Sequence, residues 1–174
     1  MTQEELKALQ IPLKEKYREA PGSAMITLRA SGKVGEGISC KLQTGQALVE
    51  AGLHPATGGN GIQACSGDML LEALVACAGV TLRAVSTAIG IDVPAGTISA
   101  EGDLDFRGTL GVSKEALVGF TNIRLKFELD TNASPDQLQT LLKLTERYCV
   151  VYQTLVGGVK VETSLSNIPG APKE

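Results

Sequence analysis

The stretch Cys65 to Ile91, CSGDMLLEALVACAGVTLRAVSTAIGI, is the most apolar segment of this 174-residue chain, and the rest of the fold has to cover it. Glu72 and Arg83 leave about ten uncharged residues between them, against the roughly 20 that a bilayer span needs. The segment therefore predicts a buried helix of a soluble protein, with no membrane as partner. At about 100° per residue, Glu72 and Arg83 share one side of that helix with Asp68, Gly79 and Ser86. Cys77 falls in another stripe, with Ala73, Ala84 and Ala88, whose small side chains let a second element approach closely.

One domain with a core of small aliphatic side chains is expected, since 43% of residues are hydrophobic, only six are aromatic and none is tryptophan. A net charge of -3 without a Lys/Arg cluster speaks against nucleic acid as a partner. The opening MTQEELKALQIPLKEKYREA mixes acids and bases and lacks a signal-peptide pattern, so a cytoplasmic chain is expected. In that compartment cysteines stay reduced, and a pair that bridges does so as redox chemistry.

Around the apolar segment the patterning alternates between the two periods. Residues 3 to 19 predict a short amphipathic helix or two, interrupted at Pro12, within an N-terminal arm over residues 1–23. The main domain, 24–174, begins with SAMITLRASG and ISCKLQTG as a hairpin, with Cys40 on the apolar face, and ALVEAG as a possible third strand. LHPATGGNGIQACSG reads as a loop. TISAEGDLDFRG and GFTNIRLKFELD place Ile98, Ala100, Leu104 and Phe106, then Ile123, Leu125, Phe127 and Leu129, on their inner faces. Their short linker favours antiparallel pairing.

SPDQLQTLLKLTERYCVVYQTL opens on a capping box, Ser134 with Gln137, and has Pro135 at its first turn. It predicts a second helix with Cys149 on the buried stripe. VKVETSLS predicts a last strand. The order gives an α+β class, antiparallel sheet packed on two central helices.

Alone, Cys77 reads first as a small core residue. A second cysteine on the inner face of the other helix makes Cys77 and Cys149 a candidate redox pair. Cys65 precedes the helix, and the rise to Cys77 far exceeds the roughly 7 Å between Cα atoms that a disulfide allows. Cys40 reads as core. No cysteine spacing fits zinc, the only histidine is His54, and no metal or other cofactor is expected. The glycine-rich GLHPATGGNG lacks the lysine and the strand-to-helix setting of a phosphate loop.

With both helices placed, SGDMLLEALVACAGVTL and ERYCVVYQTL resemble the two cysteine segments of the OsmC/Ohr family, the osmotically inducible and organic hydroperoxide resistance proteins. The resemblance covers roughly residues 24 to 165. It implies an OsmC-like intertwined homodimer and a thiol peroxidase acting on organic hydroperoxides or hydrogen peroxide. Cys77 would be the peroxidatic thiol, Cys149 the resolving thiol, and an external dithiol the reductant.

The family pairs its cysteine with an arginine held by an acidic residue at the helix start. Here the loop before the helix holds only His54, Asp68 is the nearest acid, Arg29 is the remaining candidate cation with Arg18 behind it, and Val150 replaces the proline that usually follows the second cysteine. The alternative is a protein of the same fold that binds a small apolar or thiol-bearing ligand without peroxidase chemistry. A third is a structural homodimer with cysteines as core filler.

Overall fold

The structure, a computed structural model, describes residues 2–20, 32–34, 39–44, 47–111 and 113–166. The strand expected over SAMITLRASG, with Arg29, lies outside the described residues apart from its last position, and so does the boundary expected at residues 23 and 24.

α1 (Gln3–Glu19) is one helix that continues through Pro12 rather than two pieces broken by it. Its start is tied reciprocally: the Glu5 N–H donates to the Thr2 hydroxyl (3.1 Å) and the Thr2 N–H to the Glu5 carboxylate (2.7 Å). The Gln3 side chain donates to the Ala88 carbonyl (2.7 Å), fastening this arm to the far end of the apolar helix.

Three strands follow, β1 (Gly32–Val34), β2 (Ser39–Thr44) and β3 (Ala47–Gly52), paired antiparallel in sequence order. A two-residue strand, β4 (Ala64–Cys65), pairs parallel with β3 inside the stretch that reads as loop. Two residues are too few to carry a period-2 signal.

The apolar segment is helix α2 (Ser66–Ile89), closed by Gly90 in the left-handed conformation at φ 73°, whose N–H caps the Ser86 and Thr87 carbonyls. Leu74, Ala78, Leu82, Val85 and Ser86 form its buried face. The burial of Ser86 corrects the polar side expected from Glu72 and Arg83. Its hydroxyl donates to the Arg83 carbonyl (3.0 Å), so it needs no water and is tolerated inside. Cys77 and Ala84 are half-buried, while Ala73 and Ala88 are exposed, so the small-residue stripe turns away from this chain's own core.

β5 (Ala95–Leu104) and β6 (Phe120–Asp130) pair antiparallel as expected, with Ile98 opposite Phe127 and Ala100 opposite Leu125. The inner parity faces α2, and Phe106 instead opens the short helix α3 (Phe106–Thr109). On the outer face Arg124 joins Asp103 and Glu101. α4 (Pro135–Tyr148) starts with the expected capping box between Ser134 and Gln137. The core is closed by Leu82, Val85, Ile91, Val93 and Leu141, with Phe127, Leu129, Ala133 and Leu144 packed around them.

Two expectations fail in the C-terminal part. The second helix is not continuous: it breaks at Cys149 (φ -75°, ψ 108°) and restarts as α5 (Val150–Gly157). Residues 159–166 form no strand, although their pattern alternates. A strand needs an edge to pair with, and among the described residues this segment pairs with none; Leu165 is fully exposed.

By length and composition α2 is the one described helix apolar enough to cross a membrane, yet α4, α5, β5 and α1 all pack on it. Only 28% of its most apolar window is buried by this chain. Leu141→Ala, which empties the centre of the core, is expected to cost about 2–5 kcal/mol in urea denaturation, and Ser134→Ala, which removes a cap, about 1 kcal/mol.

Candidate active site

Cys77 sits in the middle of α2, and Cys149 is both the C-cap of α4 and the N-cap of α5. Packing of α4 and α5 across α2 brings the two thiols close enough that each perturbs the ionisation of the other. Both are free thiols, Cys77 half-buried and Cys149 1% exposed.

The break at Cys149 decides the local electrostatics. A helix leaves its first N–H groups without internal partners, and these carry the positive end of its dipole. In α5 those groups belong to Val150 and Val151, and both act to lower the Cys77 pKa. Burial acts on this thiol to raise its pKa. The hydrogen-bonding pull of the Val151 N–H, the Cys149 thiol, the Val150 N–H and the Thr81 hydroxyl outweighs burial, and the thiol is held below its ordinary value.

Cys149 goes the other way. Burial pushes its thiol up, the Tyr152 N–H eases it back, and the neighbouring Cys77, in hydrogen bond and in charge, pushes it further up. The Tyr152 N–H does this without closing a capping bond to the sulfur. The pair is therefore divided into a thiolate-prone Cys77 and a proton-holding Cys149 that donates to it. Two interacting groups driven apart in this way are the usual mark of an assigned nucleophile and its partner.

The other expected residues stand elsewhere. Asp68 is exposed in the first turn of α2, about 13 Å of helix rise from Cys77, and is not brought to the thiols within the chain. It lines a separate cavity of about 380 Å³ with His54, Cys65, Asp103 and Phe106. His54 stacks on Phe106 at 5.0 Å and accepts the Ala56 N–H through Nδ1 (3.1 Å). Arg29 lies outside the described residues, and of Arg18 and Cys40 only the backbone is described, in α1 and β2. No group of three metal-ligating side chains occurs among the described residues.

Sequence reasoning missed the donors. Val150 and Val151 carry no signal in their side chains, because what they contribute is backbone exposed by the helix break. Thr81 was also passed over, although it stands one turn after Cys77 on the same face. A larger apolar cleft, about 870 Å³, lies between β6 and the helices α2, α4 and α5. Leu74, Phe127, Leu141 and Tyr152 line it, and neither thiol does.

Known proteins of this shape are readily found. The OsmC-like protein from Mycoplasma pneumoniae superposes with a TM-score of 0.64 at 16% identity, over 76% of this chain and 89% of that one. An organic hydroperoxide resistance protein OsmC from Legionella pneumophila gives 0.61 at 18%, over 80% and 96%. The organic hydroperoxide resistance protein OhrB of Bacillus subtilis gives 0.52 at 18%, over 80% and 97%. At such identities the likeness concerns the fold, a mixed α+β architecture of OsmC type. No curated protein sequence matches the chain. The family model for OsmC-like protein matches residues 58–164, from the loop before α2 to the segment after α5, and the chain belongs to that family.

Proposed function

We propose that the protein is a cysteine-based thiol peroxidase that reduces organic hydroperoxides or hydrogen peroxide. The observation that carries this reading is the opposed shift of two neighbouring thiols, Cys77 down and Cys149 up. A thiolate is the nucleophile toward peroxide, and one that ionises more readily than its neighbour decides which sulfur is attacked first.

In the first step the Cys77 thiolate attacks the terminal peroxide oxygen, the O–O bond breaks, and the leaving alkoxide takes up a proton to depart as alcohol. Cys77 is then a neutral sulfenic acid. With that negative charge gone, one of the effects that hold the Cys149 proton, beside burial, is relieved. The Cys149 sulfur attacks Cys77, hydroxide leaves as water, and a disulfide joins the two residues. An external dithiol reduces it by exchange and is itself oxidised. Such a cycle belongs to a reducing compartment, and we place the protein in the cytoplasm.

A second copy of the chain is the partner we assign to the uncovered side of α2. Only 28% of its most apolar window is fully buried, with Val80 74% exposed, while the alternating segment at 159–166 pairs with no strand among the described residues. Glu72 and Arg83, both exposed, would have to be buried in lipid if a bilayer covered this helix instead.

The apolar cleft favours a second reading, a small-molecule binding protein that uses those walls and leaves its thiols idle. Coupled consumption of cumene hydroperoxide and hydrogen peroxide with a dithiol separates the two. Cys77→Ser is expected to abolish turnover, and Cys149→Ser to leave a sulfenic acid on Cys77 that a dimedone probe captures. Full turnover by Cys77→Ser excludes the peroxidase. Sedimentation equilibrium is expected to return twice the mass of one chain; a monomer at micromolar concentration contradicts the assigned partner.

A further inference from the structure

Nothing covalent imposes the interruption between α4 and α5. A proline at position 150 would break the helix by itself, but Val150 keeps its N–H and has no ring. In a helix running on through Cys149, that N–H would donate to the Glu146 carbonyl four residues back. No such bond forms among the described residues: the Cys149 N–H donates to the Thr145 carbonyl (2.9 Å), and the next bond runs from the Gln153 N–H to the Cys149 carbonyl (2.9 Å). The Glu146 carbonyl is taken instead by the Gln153 side chain, whose Nε2 donates to it at 2.8 Å.

This bond and a continuous helix exclude each other. Residues seven apart in a straight helix stand about 10 Å apart along its axis, farther than a glutamine side chain reaches back, so the bond exists only with the break. While it exists, the acceptor that a continuous helix needs is engaged elsewhere.

We propose that Gln153 is a positioning residue for the thiol pair: its side-chain amide holds the α4–α5 break open and so keeps Cys149 in an extended backbone conformation at the junction packed on α2. This deepens the peroxidase reading and rests on Cys77 and Cys149 being its redox pair. Gln153 acts through the backbone. With the break open, the Val150 and Val151 N–H groups have no helical acceptor, and both favour the ionised form of Cys77. With it closed, they return to the Glu146 and Arg147 carbonyls. The Gln153 side chain is exposed, so replacing it empties no part of the core.

The titratable group that acts on Cys77 is Cys149. Glu146 and Tyr152 line the adjoining cleft, Glu72 and Arg83 of α2 are exposed, and Glu101 and Asp103 of β5 are held by Arg124 on the outer face of their sheet.

The test removes the amide without shortening the side chain. Gln153→Met takes away the donor and keeps an unbranched, helix-forming chain. Gln153→Glu keeps the shape and puts an acceptor where the donor was. In the reduced full-length protein, the Cα and Cβ carbon chemical shifts of Cys149 report its backbone conformation. They are expected to be those of an extended residue in the wild type and of a helical residue in both variants. The second readout is the pH profile of iodoacetamide alkylation at Cys77, followed by mass spectrometry of its peptide. It is taken in Gln153→Met alone, since Gln153→Glu adds a charge. The midpoint is expected to rise by about half a unit, because the charged form loses donors, and alkylation below both midpoints to slow roughly threefold. Extended shifts at Cys149 in either variant, with native circular dichroism, overturn the proposal. Unfolded shifts from residue 149 onward overturn it as well, since they mark a merely structural loss of α5, and so does a helical Cys149 with an unchanged Cys77 midpoint. Neither measurement uses peroxide, so a protein that shifts as expected but consumes no peroxide fails the peroxidase reading alone.

Discussion

A thiolate on the face of an apolar helix exists only if something replaces the water it has given up. In this fold the replacement is a helix interruption. The second helix could have run on through Cys149, and its alternation of leucines gives no reason to stop there. By breaking at Cys149 it frees the first amides of α5, and those of Val150 and Val151 favour the ionised form of Cys77. The same break makes Cys149 the N-cap and sets its own sulfur beside the first. One backbone irregularity thus supplies both the donors and the partner thiol.

The surroundings serve that arrangement. Leu74, Ala78, Leu82 and Val85 bind α2 to the core, and Leu141 and Thr145 of α4 pack against it from the far side. The Thr145 hydroxyl is bonded back to Leu141, so the layer beside the thiols is satisfied without water. A packed, dry wall matters because hydrogen bonds to a charge strengthen as the local dielectric falls. It is also why burial opposes ionisation there in the first place, and the outcome for each thiol depends on its count of donors. Cys77 has enough and Cys149 does not.

The strands with strict alternation were legible because each has one face on α2 and one in solvent: Ile98, Ala100 and Leu104, then Ile123, Leu125, Phe127 and Leu129, fall inside as their period requires. Cys77 and Cys149 were legible as a pair from their faces on two helices. Ser86 misled because a serine satisfied by its own helix costs little to bury, and helical angle alone cannot show that bond. The strand expected at 159–166 misled for the opposite reason. Its pattern is that of a strand, but pairing needs a partner edge, and none of the described strands provides one. The amides at 150 and 151 were out of reach because a break in hydrogen bonding leaves no trace in apolar spacing.

The account stands on Cys77 and Cys149 being one redox pair. The most direct measurement is a single turnover: one equivalent of cumene hydroperoxide added to the fully reduced protein, then thiol blocking and non-reducing peptide mapping. The account predicts one new linkage, between the Cys77 and Cys149 peptides of the same chain, formed in proportion to the peroxide added, with Cys65 still free. Peroxide left unconsumed with both thiols reduced, or a linkage that joins Cys77 to any other cysteine, contradicts it.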